Sequence, residues 1–498
     1  MRAARFPKAE IWQAALVIAA ITLVTRAWIF GNPVIGIDEQ FYLVAGDRLL
    51  HGALPYVDVW DRKPIGLFLI YAAAESIFGD PVLGFQLLAA LSVILTSLVL
   101  FAVARRFTGF SAALAGAAAY PAWLLVFAGV GGQSPVFYNL PMAVAAWLLV
   151  GMIAESQARR LAAIGCLVML LCGIAIQIKY SAVFDSFFFG LSLLWLSWWQ
   201  DRSVGPLLAR GVVWIACAML PTFAAWVAYA AIGQGDAFVQ ANFRSIFGDA
   251  NSLGLSLLRL AGLNLGLAPF WICARLAWSR GAERTPAEIW LFAWVSASVA
   301  GFVAFGVYYD HYVLPLLLPF SLIAALAIER IAARKLAIAL IVGLGLVGGI
   351  GRAAVDRRTY GNRAQVAALA HAIVPRLGNG CLYVNEQLPI LYWLTQSCLP
   401  TRFLFPEHLV LYRYQNALGI DQLGELRRIL AAHPAVIVVS TDPDDDTRPQ
   451  ERALLEAALR RDYRGLCRAD VGDTPYLVYT PSSASGRPQS PSPLPECR

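Results

Sequence analysis

Charge is scarce in this sequence. Lys, Arg, Asp and Glu make up 14% of its 498 residues, against about a quarter in an ordinary soluble domain. With 59% of residues hydrophobic, such a chain cannot keep a surface in water, which excludes a soluble globular protein. No Gly-rich loop follows a strand and opens a helix, so the usual nucleotide-binding loops are missing. The eight cysteines include no set with zinc-ligand spacing. No repeat recurs at a solenoid period, and the two halves of the apolar region show no convincing similarity. Finally, no small-residue cleavage site follows the apolar run from Ile11 to about Phe30. That run therefore reads as a retained membrane span and not as a signal peptide.

What is present is a series of apolar runs long enough to cross about 30 Å of hydrocarbon. After the first they lie near Val82–Ala104, Ser111–Val130, Val136–Ala154, Leu161–Ile178, Ala182–Trp199, Gly211–Ile232, Ser256–Trp278, Ala287–Val307, Tyr312–Ile328 and Leu336–Ile350. The fold class expected is thus a polytopic α-helical membrane protein of about eleven spans. If the spans alternate, one side collects Arg2, Arg5, Lys8, Arg105, Arg106, Arg159, Arg160, Arg202, Arg210, Arg280, Arg284, Arg330, Arg334 and Lys335. By the positive-inside rule that side is the cytoplasm. The net charge of +7 is then orientation information, and no nucleic-acid partner is expected. An odd span count puts outside the loop 31–66, the loop 233–255, the turn at Tyr308–Tyr312 and everything after about Gly351.

Residues 353–480 differ in composition from the membrane region 1–352. Helix-like AQVAALAHAIVPRL and GELRRILAAHP alternate with strand-like CLYVNE, AVIVVS and PYLVYT, which predicts a small extracytoplasmic α/β domain. Residues 481–498 are rich in Pro and Ser and are expected to be disordered. Cys166, Cys172, Cys217 and Cys273 lie in spans and read as small apolar residues. Cys381, Cys398, Cys467 and Cys497 lie outside, in an oxidising compartment, where a Cys381–Cys398 disulfide is one option.

Against this background the loop GIDEQFYLVAGDRLLHGALPYVDVWDRKPIG, Gly36 to Gly66, stands out by its charge. Asp38 and Glu39 open an amphipathic helix that would lie along the membrane surface. Two readings stay open. In one, Asp38 is an N-cap, Ile37 and Tyr42 form a hydrophobic staple, and Glu39 complements the helix dipole. In the other, Asp38 is a partly desolvated carboxylate able to take a proton from a hydroxyl. Asp58, Asp61, Arg62 and Lys63 follow, interleaved with Tyr56 and Trp60. The cations suit a phosphate and the carboxylates suit sugar hydroxyls, although a charge cluster is usually just a solvated loop. Lys179, in IQIKYS, either snorkels to the headgroups or meets an anionic lipid phosphate. His311, in YYDHYVLP, is a helix-end cap or a substrate ligand, and Arg244 is a weaker candidate.

Several of these residues carry a resemblance. The DE pair Asp38–Glu39 after the first span, Tyr42, G-x-x-P-Y-x-D from Gly52 to Asp58, D-x-K-P from Asp61 to Pro64 and HYVLPLLLP from His311 to Pro319 resemble the bacterial relatives of protein O-mannosyltransferases and lipid A aminoarabinose transferases. These belong to the GT-C superfamily of membrane glycosyltransferases. CLYVNEQLPILYWLTQSCLPTRF and the following FPEH are similar to the extracytoplasmic tail domain of many such proteins. The resemblance implies transfer of a sugar from a polyprenyl-phosphate carrier to a lipid, glycan or protein acceptor on the outer face, usually with inversion. It implies Asp38 as base and Lys63 as a contact to the carrier phosphate. Glu39 and Tyr42 would shape the surroundings of the base, and Asp58 and Asp61 would face sugar or acceptor. Some relatives have a glutamate before the lysine, implicated in metal or acceptor binding. Here that residue is Arg62, and GVGGQSPVFYNLPM lacks an acidic residue that several relatives carry. A divalent metal cofactor is therefore left open, as is the aminoarabinose branch. The competing readings are a surface-polysaccharide polymerase or ligase, a membrane transporter, and a non-catalytic assembly factor.

Overall fold

A computed structural model of the chain describes residues 7–155, 160–245, 253–280, 283–306, 308–443, 446–482 and 494–497. Arg2, Arg5 and Arg159 of the charge map, Val307, the stretch 246–252 of the outer loop, and residues 483–493 and 498 of the tail lie outside the described residues. The contacts divide the chain into two compact units. One comprises residues 1–30, 86–225 and 252–353, and the other 31–85, 226–251 and 354–498.

Helices occupy each of the apolar runs. Among the described residues seven are long and apolar enough to cross a membrane, and eight if Gly254–Gly266 and Ala268–Ser279, bent by 58°, form one span. The chain is a polytopic helical membrane protein. Of the runs expected to make about eleven spans, Phe110–Leu124 and Leu161–Ile176 form shorter apolar helices. The run from Tyr312 opens with a 3-10 turn, Asp310–Val313, and its helix, Leu317–Arg330, starts only after Pro315. Pro lacks an amide hydrogen and so favours a helix start over a helix interior. A further apolar helix, Ile65–Phe78, is too short to register as a run of spanning length.

The first unit packs through small residues. A Cβ on Gly116 of helix Phe110–Leu124 would lie 2.6 Å from the Ser321 carbonyl oxygen of helix Leu317–Arg330. Similar close approaches bring Gly173 to the Ala218 carbonyl and Gly345 to the Trp123 ring. Small residues allow such backbone proximity in lipid, where apolar side chains gain nothing from hiding from one another. Polar groups here are met individually. Trp123 Nε1 donates to the Ile341 carbonyl at 2.7 Å, and Asn139 Nδ2 donates to the Tyr120 hydroxyl and the Leu314 carbonyl at 3.0 and 3.1 Å. Arg26, 1% exposed at the end of helix Lys8–Arg26, donates to the Val130 and Gly131 carbonyls at 2.8 and 3.2 Å and also to Gly129.

The second unit holds a four-stranded sheet. Its strands are β1 (Leu382–Val384), β2 (Val436–Ser440), β3 (Tyr463–Val471) and β4 (Thr474–Pro481), in the order β1-β2-β4-β3. β1 and β2 are parallel with Val384 opposite Val438, while β4 is antiparallel to both β2 and β3. Gly472, φ +64°, makes the β3–β4 turn, and a Cβ there would strike the Thr359 carbonyl at 2.1 Å. Helices Arg363–Leu377, Gln422–Ala431 and Pro449–Asp462 belong to the same unit, the first opened by a capping box of Asn362 and Gln365. β3 and the last of these helices were not among the elements expected from sequence. The tail also departs from the expected disorder at its end. Cys497 is bonded to Cys467, and the backbone of Arg468 pairs with Pro495 and Cys497, which ties 494–497 to β3. Cys381 and Cys398 form the second disulfide.

Candidate active site

The charged loop belongs to the second unit, together with the sheet. Helix Ile37–Leu50 starts two residues earlier than an Asp38 cap requires: Gly36 is the N-cap, and no side chain caps the helix. Asp38 and Glu39 thus lie within the first turn, where backbone N–H groups favour negative charge. Gly36 has a specific use here, because a Cβ would sit 2.5 Å from Glu39 Oε2. The buried Glu39 carboxylate folds back over the backbone that precedes its own helix.

After the helix the chain reverses. Asp58 Oδ2 accepts the Leu54 N–H at 2.7 Å, and the Tyr56 N–H donates to the Val59 carbonyl at 2.7 Å. Tyr56 itself is held at φ +71°, a conformation that costs a non-glycine residue of order 1–3 kcal/mol. The surroundings enforce it. Its ring packs on Phe68, Tyr229 and Phe238, and its hydroxyl donates to the Lys63 carbonyl at 2.9 Å. Trp60 N–H donates to the Arg402 carbonyl at 2.8 Å, and Arg48 donates to the Tyr392 and Ser397 carbonyls at 3.1 and 2.9 Å. The loop is therefore pinned at both ends to residues from the C-terminal third of the chain.

This strained turn carries Lys63 back to the start of the helix. Lys63 Nζ lies 3.9 Å from Asp38 Oδ1 and 3.9 Å from Asp61 Oδ1, and 5.4 Å from the centroid of the Tyr42 ring. The Lys63 N–H also donates to Asp61 Oδ1 at 2.9 Å, so the aspartate holds both ends of the lysine. Asp61 is buried, whereas the Asp38 and Lys63 side chains keep 17% and 22% of their exposure, enough for a substrate to reach them. Tyr42 is fully buried, and its hydroxyl has no hydrogen-bond partner among the described residues. Burial, and then the nearby charges of Asp38, Asp61 and Glu39, push its phenol well above the usual range. It remains a neutral donor at any physiological pH.

Two groups border the cluster. The Arg62 guanidinium sits 5.1 Å over the Tyr414 ring, a cation–π contact. His408 is buried against Trp60, Phe405 and Tyr414, each ring centroid 4.9 Å away. Burial, with the Arg62 and Lys63 cations, holds its imidazole well below the usual value, so it stays neutral. The sequence singled out only the tetrapeptide around it, FPEH, and gave this histidine no role.

Of the nine candidate site residues, Asp38, Glu39, Tyr42, Asp61, Arg62 and Lys63 gather here. Asp58 is exposed and serves the turn. Lys179 and His311 belong to the first unit, where both meet Tyr312. Lys179 Nζ is 4.0 Å from the centre of that ring, and the His311 ring is 4.6 Å from it. Lys179 is 5% exposed, which rules against a free headgroup-seeking side chain. Arg244 is exposed at the end of a π-helical turn. Among the described residues no three His, Cys, Asp or Glu side chains converge. Where a further ligand might be sought beside Asp61 and Lys63, the chain has the cation Arg62.

No protein-family model matches the sequence, and no curated protein matches it. Solved structures do. ArnT from Cupriavidus metallidurans bound to undecaprenyl phosphate aligns with a TM-score of 0.62 at 15% identity, covering 96% of this chain and 98% of that one. Its apo form gives 0.63 at 16%, over 95% and 98%. The fold is that of the GT-C membrane glycosyltransferases. The arabinofuranosyltransferase AftD from Mycobacteria shares the GT-C fold more distantly, with a TM-score of 0.51 at 14% identity over 98% of this chain and 42% of AftD. At such identities the likeness establishes the GT-C architecture and leaves ligand and acceptor to the residues themselves.

Proposed function

We propose that the protein is a glycosyltransferase that moves a sugar, with inversion, from a polyprenyl-phosphate donor to a lipid, glycan or protein acceptor on the outer face of the bacterial inner membrane. The observation that carries the proposal is the Asp38–Lys63–Asp61 constellation, set in a GT-C fold whose neighbour ArnT binds undecaprenyl phosphate. Asp38 takes the proton of an acceptor hydroxyl, whose oxygen attacks the anomeric carbon. The bond from that carbon to the phosphate oxygen breaks, and its electron pair leaves with the polyprenyl phosphate. Lys63 stabilises the charge that develops there. Asp61 fixes the lysine from two sides, so little reorganisation is needed during the reaction. Tyr42, kept as a buried phenol, adds no further negative charge beside Asp38. The polyprenyl phosphate is already an anionic leaving group and needs no strong proton donor.

A membrane assay with radiolabelled polyprenyl-linked sugars tests the reading. Asp38→Asn should abolish transfer at unchanged protein level, and retained transfer would remove Asp38 from the role of base.

A further inference from the structure

The second unit contains a covalent ring. The disulfide Cys381–Cys398 joins two residues 17 apart in sequence, and β1 and the short helix Leu391–Leu394 lie between them. Three non-glycine residues inside the ring, Gln387, Leu388 and Gln396, take the left-handed backbone conformation, with φ of +53°, +43° and +48°. Each costs of order 1–3 kcal/mol and persists only where the surroundings impose it. Side chains brace the ring against its own strand. Ser397 Oγ accepts the Leu382 N–H at 2.7 Å, and the Tyr392 hydroxyl accepts the Val384 N–H at 3.1 Å. Cys398 itself is exposed, so burial does not hold that end of the ring and the covalent bond does.

The same two bracing residues present their carbonyls to the helix that carries Asp38. Arg48, in the last turn of helix Ile37–Leu50, donates through Nη2 to the Tyr392 carbonyl at 3.1 Å and to the Ser397 carbonyl at 2.9 Å. Buried Asp47 lies beside it, with Oδ2 3.8 Å from Arg48 Nε. A guanidinium whose two carbonyl acceptors lie in one ring takes its place from that ring. Asp38 sits in the first turn of the same helix, about 15 Å from Arg48 at 1.5 Å per residue. A helix is stiff over that length, so a shift at Arg48 reaches Asp38. A displacement of about 1 Å at a reacting group can cost about 100-fold in rate. The other disulfide, Cys467–Cys497, ties residues 494–497 to β3 and so provides an internal comparison.

We propose that Arg48 is a positioning residue for the transfer and takes its place from the Cys381–Cys398 ring, so that this disulfide sets the position of the Asp38 carboxylate. The effect on rate rests on the transferase reading, whereas the hold on the helix does not. The full-length protein in nanodiscs is therefore read in two ways. One is kcat and donor KM with radiolabelled polyprenyl-linked sugars, and the other is hydrogen–deuterium exchange over residues 37–50. Arg48→Met and the paired change Cys381→Ser with Cys398→Ser should each lower kcat by about 10- to 100-fold at nearly constant donor KM. Both should speed exchange over 37–50 by about 10-fold or more. Arg48→Lys, which keeps the charge, should recover part of kcat, and the two Arg48 variants decide the matter if the opened ring does not fold. Arg48→Met should add less than about 2-fold once the ring is open, because both changes break one linkage. Cys467→Ser with Cys497→Ser should keep wild-type kcat and exchange over 37–50, although loss of that disulfide also costs stability. Wild-type kcat and exchange in Arg48→Met, or equal losses in both disulfide variants, overturn the inference. Transfer that Asp38→Asn abolishes and Arg48→Met leaves intact would keep the base and refute the positioning. No transfer in the wild type, with exchange sped by Arg48→Met and the opened ring alone, would refute the transferase and leave the helix held by the ring.

Discussion

In the first unit buried polarity comes one side chain at a time, as with Arg26 facing a turn of three carbonyls, Asn139 reaching Tyr120 and the Leu314 carbonyl, and Trp123 reaching the Ile341 carbonyl. In the second unit it comes as a cluster, in which one lysine is shared by two aspartates beside a phenol and a neutral imidazole. Lipid offers no water to a stray polar group, so each one in a membrane domain must be met locally. The transfer proposed for the second unit, which takes a proton from the acceptor and releases an anionic polyprenyl phosphate, by contrast, needs several charges within reach of one another. Concentrating them in a loop held by a folded α/β unit keeps that requirement out of the spans. Asp185 is met in the same way, by Trp294 and Ser298.

The contrast can be broken at both ends. The largest effect is expected within the loop itself: Asp38→Asn should lower the transfer rate by about 10²- to 10⁴-fold. Asp58→Asn, which keeps the turn hydrogen bond to Leu54, should stay near wild type in the same assay. Equal losses would mean that the cluster is no more than a charged loop. In the first unit, Arg26→Met leaves the Gly129, Val130 and Gly131 carbonyls without their donor, with an expected cost of about 3 kcal/mol or more in detergent unfolding. Gly116→Val drives a side chain into the Ser321 backbone and should cost about 1–3 kcal/mol in the same measurement.

The smallest effect concerns His408. Its imidazole is held well below the unfolded value of 6.5, so the unfolded chain takes up a proton that the folded one refuses. Stability is therefore fully present above about pH 6.5 and falls as the pH drops below it, by at most about 1.4 kcal/mol per pH unit from this group. Thermal unfolding at pH 7.5 and 5.5 should show a larger acid loss in the wild type than in His408→Phe. An identical loss would remove the buried histidine from the account.

Read as a linear string, the chain already disclosed its apolar runs, its charged first loop, the strands β1, β2 and β4, and six of the residues that cluster at the candidate site. These signals are local, because the transfer of a side chain from water to lipid or to a core is decided largely residue by residue. β3 escaped notice because YRGLCRADV alternates buried and exposed positions without a strong apolar signal, and its pairing with β4 and the Cys497 end is what holds it. Asp38 read either as a cap or as a base, and Gly36 proved to hold the cap position. Its neighbour Lys63 is 25 residues away, brought near by a turn that forces Tyr56 to a positive φ. Asp185 was one polar letter in a hydrophobic run, and its donors are Trp294 and Ser298, more than 100 residues on. Which carboxylate is a cap, which meets a cation and which meets an indole are questions of distance between remote parts of the chain, and packing sets those distances.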